Sequence, residues 1–133
     1  MYSDAARRLL TEPHPAALAT VNPDGSPQTS VVWVGFDGDD LLISTAEGRL
    51  KEKNVRREPR VSLIVHDPRD PNLYVEVRGA AVVEPDVGRA LAVRLAEEYE
   101  GNGAGEEYLE LPPEVIRVVI RISPHRVRSN AKE

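Results

Sequence analysis

LYVEVRGAAVVE, residues 73–84, alternates between two sets of side chains: Leu73, Val75, Val77, Gly79, Ala81 and Val83 on one side, Tyr74, Glu76, Arg78, Ala80, Val82 and Glu84 on the other. Successive side chains of a strand point to opposite faces, so this period of two predicts a strand with one face in a core. The run is long for a strand, and Gly79, with no side chain to pack, marks a bend or bulge within it. A long, curved, half-buried strand belongs to a sheet that rolls up.

Outward from this strand the same logic repeats. Upstream, Val61 to His66 reads as a strand, and Asp37-Gly38-Asp39 joins Gln28–Phe36 to Leu41–Thr45 as a hairpin. Asn22-Pro-Asp-Gly25 is a turn that folds Gln28–Phe36 back on a strand at Ala16–Val21. Ala5, Ala6, Leu9 and Leu10 recur at helical spacing, and Pro13 and Pro15 end that helix. Downstream, Val87, Leu91, Leu95 and Tyr99 lie four apart on a helix that Gly101 and Gly103 terminate. A short helical or irregular piece at Glu106–Leu111 precedes Pro112-Pro113. Val115–Ile122 then closes the chain, with Ile116, Val118, Ile120 and Ile122 facing one way. Six strands joined mostly by short turns, with few helices, predict a mainly β protein: one domain over residues 1–133, a small antiparallel barrel with peripheral helices. Val31–Val34 and Leu63–Val65 are apolar on both faces. One face fills a barrel, so the other needs cover from the chain's own helices or from a second subunit, and a homodimer is the expectation.

The totals exclude several classes. At 133 residues, 41% of them hydrophobic and 29% charged, the chain is large enough for a real core and too apolar for disorder. Its fully apolar runs are too short to span a bilayer, and MYSDAARRLL is no signal peptide, so a cytoplasmic location is expected. With no cysteine there is neither a disulfide nor a thiolate metal site. A net charge of −5 argues against general nucleic-acid binding. His14, His66 and His125 lack metal-ligand spacing, no metal site is expected, and no nucleophile elbow, Walker loop or carboxylate pair is present.

Against that acidic background, TAEGRLKEKNVRREPR, residues 45–60, holds six of the seventeen Lys and Arg residues. Gly48 places a turn before a short helix from about Leu50, and Pro59 stops it. A helix N-terminus already favours anions, and Arg49 and Lys51, two apart at the helix entry, add a guanidinium fork and an ammonium suited to phosphate. The same stretch also reads as a solvated helix with Glu52 and Arg56 as an ordinary ion pair.

Leu18–Gln28 (LATVNPDGSPQ), Val32-Trp33, Thr45–Gly48, Arg49-Leu-Lys51, Asn54–Val61 (NVRREPRV) and Val77–Ala80 (VRGA) form an ordered set that resembles the pyridoxamine 5′-phosphate oxidase-like split-barrel proteins. Within them the set is similar to the F420-dependent actinobacterial branch, the flavin/deazaflavin oxidoreductases of the B class. The resemblance implies a six-stranded antiparallel split β-barrel of the FMN-binding type that dimerises, with cofactor clefts at the subunit interface. It implies that Arg49, Lys51 and Asn54 hold the cofactor phosphate. It places the ring against Gln28, Thr29, Ser30, Val31 and Trp33 of the second strand and Ser44 and Thr45 of the third. Residue types agree: Gln28, Thr29 and Ser30 offer donors and acceptors, Val31 and Trp33 an apolar wall, although both also read as core. The implied activity is hydride transfer from reduced coenzyme F420 to a small conjugated organic substrate, with no catalytic residue assigned. Two alternatives stay open: an FMN-dependent oxidase of pyridoxamine 5′-phosphate, against which the chain's stop just after its last strand counts, and a flavin or F420 carrier without turnover.

Overall fold

The computed structural model describes residues 1–132. Ser3 opens α1 (Asp4–Thr11), its hydroxyl accepting from the Ala6 N–H at 3.1 Å, and Ala5, Ala6, Leu9 and Leu10 are buried as their spacing requires. β1 (Ala16–Val21) and β2 (Pro27–Val32) pair through the expected turn, where Gly25 takes a φ of +86° that a side chain would resist.

The stretch 28–36, expected as one strand, is two. It pairs with β1 as far as Val32, breaks at Trp33-Val34, and resumes as β3 (Gly35–Asp37), which pairs with β4 (Asp40–Ala46). Leaving one partner for another strands the Val34 N–H, and the Tyr99 hydroxyl accepts it at 3.0 Å while donating to the His14 carbonyl at 3.1 Å. α2 (Leu50–Arg57), β5 (Arg60–Asp67), β6 (Asp70–Pro85), α3 (Ala90–Glu100), α4 (Glu106–Leu109) and β7 (Arg117–Ser129) complete the chain. The seven-stranded sheet runs β2-β1-β5-β6-β7-β4-β3, every pairing antiparallel. Its two edges, β2 and β3, are consecutive in the chain, so the sheet curls until they approach at Trp33-Val34 with no ladder between them. The result is a split barrel of seven strands in place of six.

Residues 73–84 lie within β6, whose register against β7 shifts at Arg78/Gly79. A Cβ on Gly79 would sit 2.1 Å from the Ser123 carbonyl oxygen, so the bulge needs glycine. Two other expectations shift. Gly88 and Arg89 take positive φ (65° and 57°), so the third helix begins at Ala90, and Val87 is 82% exposed in a 3₁₀ turn before it. The Asp86 carboxylate caps that helix through the Leu91 and Ala92 N–H groups. In β7, Ile116 precedes the strand and is exposed, while Val118, Val119, Ile120 and Ile122 are buried. This strand end is sandwiched: Ile120 and Ile122 join Leu18, Ile43, Leu63 and Val77 inside the barrel, whereas Val119 packs with Leu42, Leu91 and Leu95 beneath α3. On the outer face Val31 and Ile64, both registered on Ala17, remain exposed.

Candidate functional site

The β4–α2 turn is built around Glu52. Gly48 adopts φ +95°, and its N–H donates to Glu52 Oε1 at 2.8 Å, while Arg56 one turn later pairs with the other carboxylate oxygen. Burial alone raises the Glu52 carboxyl pKa, but the Gly48 and Arg56 hydrogen bonds, with the charges of Arg56 and Lys53, outweigh it and hold the group below its ordinary value. So the Glu52–Arg56 pair is real, and it is what fixes the turn.

That turn delivers Arg49 and Lys51 into a cleft of about 270 Å³ between β2, β4, α3 and α4. Six of the residues singled out from sequence meet there: Val31, Trp33, Ser44, Thr45, Arg49 and Lys51. Val32, Ala92 and Leu95 add apolar lining. Trp33 stacks on Tyr99 with ring centroids 5.1 Å apart, so it is both a packing residue and a wall of the cleft.

Four residues lie elsewhere. Asn54 is fully buried; its amide donates to Thr20 Oγ1 at 3.0 Å and Asn22 Oδ1 at 3.1 Å, and its oxygen accepts from Arg57, so it ties α2 to the β1–β2 hairpin. The resemblance gave it to the phosphate, but its hydrogen bonds go into the protein. Gln28 accepts from Thr20 at 2.7 Å and donates to the Thr29 carbonyl. Thr29 is exposed on the outer face, and Ser30 Oγ is buried with no hydrogen-bond partner.

Besides that apolar lining, two polar residues of the cleft, Arg117 and Tyr108, escaped the sequence reading. Arg117, on β7, is registered on Ala46, and its Nη2 donates to Ser44 Oγ at 2.8 Å. Its guanidinium carbon lies 5.1 Å from the ring centroid of Tyr108, on α4. A lone arginine in a strand carries no motif; only the ladder from β4 to β7 brings it beside Arg49 and Lys51. Among the described residues no carboxylate lies within 4.0 Å of any of these three cations, although Arg56, Arg60, Arg69 and Arg121 all have one. Burial, then the neighbouring charges of Arg49 and Arg117, push the Lys51 pKa down. Burial likewise lowers Arg117, opposed by Tyr108 and Asp86. An anion between them would relieve both.

The lining contains no histidine and no carboxylate, and among the described residues no cluster of metal ligands occurs. What the cleft offers is a cationic, donor-rich end beside an apolar and aromatic wall.

A family model described as pyridoxamine 5′-phosphate oxidase matches residues 2–131. The chain belongs to the pyridoxamine 5′-phosphate oxidase family. Among individual relatives it is 29% identical over 109 residues to a pyridoxine/pyridoxamine 5′-phosphate oxidase of Rhodopseudomonas palustris, a match covering 80% of this chain and 51% of that protein. The chain thus spans about half the length of that oxidase. A solved structure called an F420 reductase superposes with a TM-score of 0.82 at 33% identity, covering 96% of this chain and 98% of that one. A conserved hypothetical protein from Mycobacterium tuberculosis superposes with a TM-score of 0.76 at 26% identity, covering 97% and 84%. The split-barrel expectation therefore holds at the level of family and fold. No helix among the described residues is long and apolar enough to cross a membrane.

Proposed function

We propose that this oxidoreductase-family protein binds reduced coenzyme F420 in the cleft and reduces a small conjugated organic substrate. One observation carries the reading: Arg49, Lys51 and Arg117 line one cleft together, with no carboxylate within 4.0 Å of them among the described residues, beside an apolar and aromatic wall. The buried Arg117 Nε has no partner in the protein, so a phosphate-bearing planar cofactor matches both the unmet donor and the wall. The preference for F420 over other flavin-like groups is supported by the 33% identity to the structure called an F420 reductase.

Bound there, a reduced deazaflavin would supply a hydride to the substrate. The chain's part is to bind and orient. Arg49 and Lys51 hold the phosphate, Ser44 and Thr45 face the polar rim, and Val31 and Trp33 confine the ring. A volume of about 270 Å³ is small for a ring and a substrate together. Exposed Val31, Ala17 and Ile64, side by side across β2, β1 and β5, continue the cleft wall outward, supporting a homodimer whose second copy completes the site.

The match to oxidases favours a second reading, an FMN-dependent oxidase of pyridoxamine 5′-phosphate. Separate fluorescence titrations with F420 and FMN, followed by spectrophotometric oxidation of reduced F420 with candidate enones, test both. Submicromolar F420 binding with enone-dependent oxidation is the expected result. Preferential FMN binding would replace the proposal with the oxidase, and tight F420 binding without turnover would leave a carrier.

A further inference from the structure

We infer that residues 101–116 form a strap that lifts off the cleft to admit its ligand, and that Arg89 is the latch that holds the strap down. Tyr108 is the residue through which this segment lines the cleft. The inference deepens the proposed function by naming the wall that moves when the cleft is loaded. It rests on that reading for the ligand alone, because strap and latch are properties of the chain by itself.

The strap has no anchor in the core. Of residues 101–116 only Gly105 is buried, and none belongs to either apolar cluster. Its backbone hydrogen bonds close short turns within the segment: Glu106 N–H to the Gly103 carbonyl, Tyr108 to Gly105, Glu110 to Glu106 and Val115 to Pro112. The first tie to the sheet comes at its end, where the Ile116 carbonyl accepts from the Glu47 N–H at 2.8 Å. At its start, Gly101 and Gly103 take φ of +106° and +90°, a region glycine enters freely and a natural place for the chain to bend. Toward the other end, Pro113 and Val115 border an open groove of about 350 Å³ with Pro85 and Gly88, so this stretch spans a space where a core segment would fill one. With so few buried apolar contacts, the segment opens more readily than the sheet beside it.

What holds the strap is polar. The Arg89 guanidinium donates to the carbonyls of Tyr108 at 2.8 Å, Leu111 at 2.7 Å, Pro112 at 2.8 Å and Val115 at 3.0 Å. Because one side chain serves all four carbonyls, these bonds are lost together when the strap lifts. Arg89 is also the one non-glycine residue with positive φ among the described residues, at +57°. Left-handed backbone disfavours an L side chain, whereas glycine, which stands immediately before it, would sit there unstrained. The reach of the side chain to those four carbonyls accounts for an arginine held in that conformation. Lesser fastenings are Tyr108 over the Arg117 guanidinium at 5.1 Å, the Gly103 N–H donating to Glu97 at 3.2 Å, and Gly105 against α3, where a Cβ would stand 2.5 Å from Val93 Cγ1. Arg89 is thus a positioning residue, acting on the cleft through Tyr108.

Two measurements on the whole chain without ligand test this. Hydrogen exchange should be at least about a hundredfold faster at Tyr108, Glu110 and Val115 than in β5 and β7, the mark of a segment that opens while the barrel stays closed. Arg89→Gly, which suits the backbone and removes the latch, should speed exchange across the strap by a further ten- to hundredfold, roughly the worth of one or two hydrogen bonds. Trp33, the chain's sole tryptophan and part of the cleft lining, reports the opening itself, and acrylamide should quench its fluorescence more strongly in Arg89→Gly. Arg89→Lys keeps the charge and loses the fork, so it should recover part of both effects. Gly105→Ala, which pushes the strap from α3 without touching the latch, should move both readouts the same way and serves if the Arg89 variants do not fold. Stopped-flow mixing with F420 and with FMN adds the link to binding: association and dissociation should both quicken in Arg89→Gly, because ligand passes in both directions through the lifted strap. Strap amides that exchange as slowly as the barrel, or exchange and Trp33 quenching in Arg89→Gly within twofold of the parent, overturn the inference. A protein that takes neither coenzyme but shows the strap's exchange and quenching would sink the redox reading and leave this one standing. Coenzyme binding with both rates indifferent to Arg89→Gly would do the reverse.

Discussion

Replacing Asn54 with alanine separates the two roles that sequence and structure give this residue. The side chain is fully buried, donates to Thr20 Oγ1 at 3.0 Å and Asn22 Oδ1 at 3.1 Å, and accepts from both Arg57 Nη atoms at 3.3 Å. Two well-formed hydrogen bonds are worth about 1 kcal/mol each, and the longer Arg57 contacts less. Thr20 keeps a partner, because its hydroxyl still donates to Gln28 at 2.7 Å, and Arg57 keeps the Val21 carbonyl. The space left by the amide adds roughly another 1 kcal/mol, for an expected loss of about 2–4 kcal/mol. That is a large share of the roughly 5–15 kcal/mol that holds a domain folded. In urea the midpoint should fall by about 1–2 M with an unchanged slope. Anion and coenzyme affinities of the folded variant should match those of the parent. A variant as stable as the parent that has lost coenzyme affinity tenfold would show that Asn54 faces the ligand and that its hydrogen bonds into the barrel are incidental.

Other substitutions probe the frame of the cleft. Gly79→Ala drives a methyl to within 2.1 Å of the Ser123 carbonyl oxygen, so backbone must move; a loss of about 3 kcal/mol or more in thermal or urea unfolding is expected. Tyr99→Phe leaves the Val34 N–H at the barrel split without its acceptor and should cost about 1–2 kcal/mol, with faster hydrogen exchange at Val34. Lys51→Met removes a cation whose pKa is held down by burial and by Arg49 and Arg117. The ligand-free protein should gain roughly a few tenths of a kcal/mol at neutral pH while coenzyme binding weakens. Glu52 has a folded pKa below its ordinary 4.5, so the stability it contributes is present above pH 4.5 and is lost as pH falls through the lower folded value. Parent and Glu52→Gln should therefore differ in urea midpoint at pH 7 and converge as the pH drops well below 4.5.

The fold was legible because its signals are local. Alternation along residues 73–84, the Asn22–Gly25 and Asp37–Asp39 turns, and the prolines bounding α1 and α2 act on neighbours in sequence, and each appears where expected. The break at Trp33-Val34 was not legible, since an apolar run looks the same whether it continues one ladder or changes partners. What decides it is Tyr99, 65 residues away, offering an oxygen to the stranded N–H. Val87 failed for a different reason: four-residue spacing fits a helix, but Gly88 and Arg89 adopt positive φ before that helix starts.

The cleft divides along the same line. Arg49 and Lys51 share a turn with Gly48, so spacing alone brings them together, and the burial of Glu52 explains why that turn holds its shape. Asn54 lies only three residues past Lys51, yet the helix rotates it away from the cleft and into the barrel end. Arg117 is the converse case. It is more than sixty residues from Arg49 and Lys51, and nothing in RVVIRI, residues 117–122, marks its first arginine off from the second. Yet Arg121, four positions on, is neutralised by Asp37, Asp40 and Glu84, whereas Arg117 meets Tyr108, Ser44 and two more cations. Two arginines of one strand thus take opposite parts. The difference comes from what the neighbouring elements place around each: carboxylates that complete a structural ion cluster at one, and donors that leave an anion to be supplied at the other.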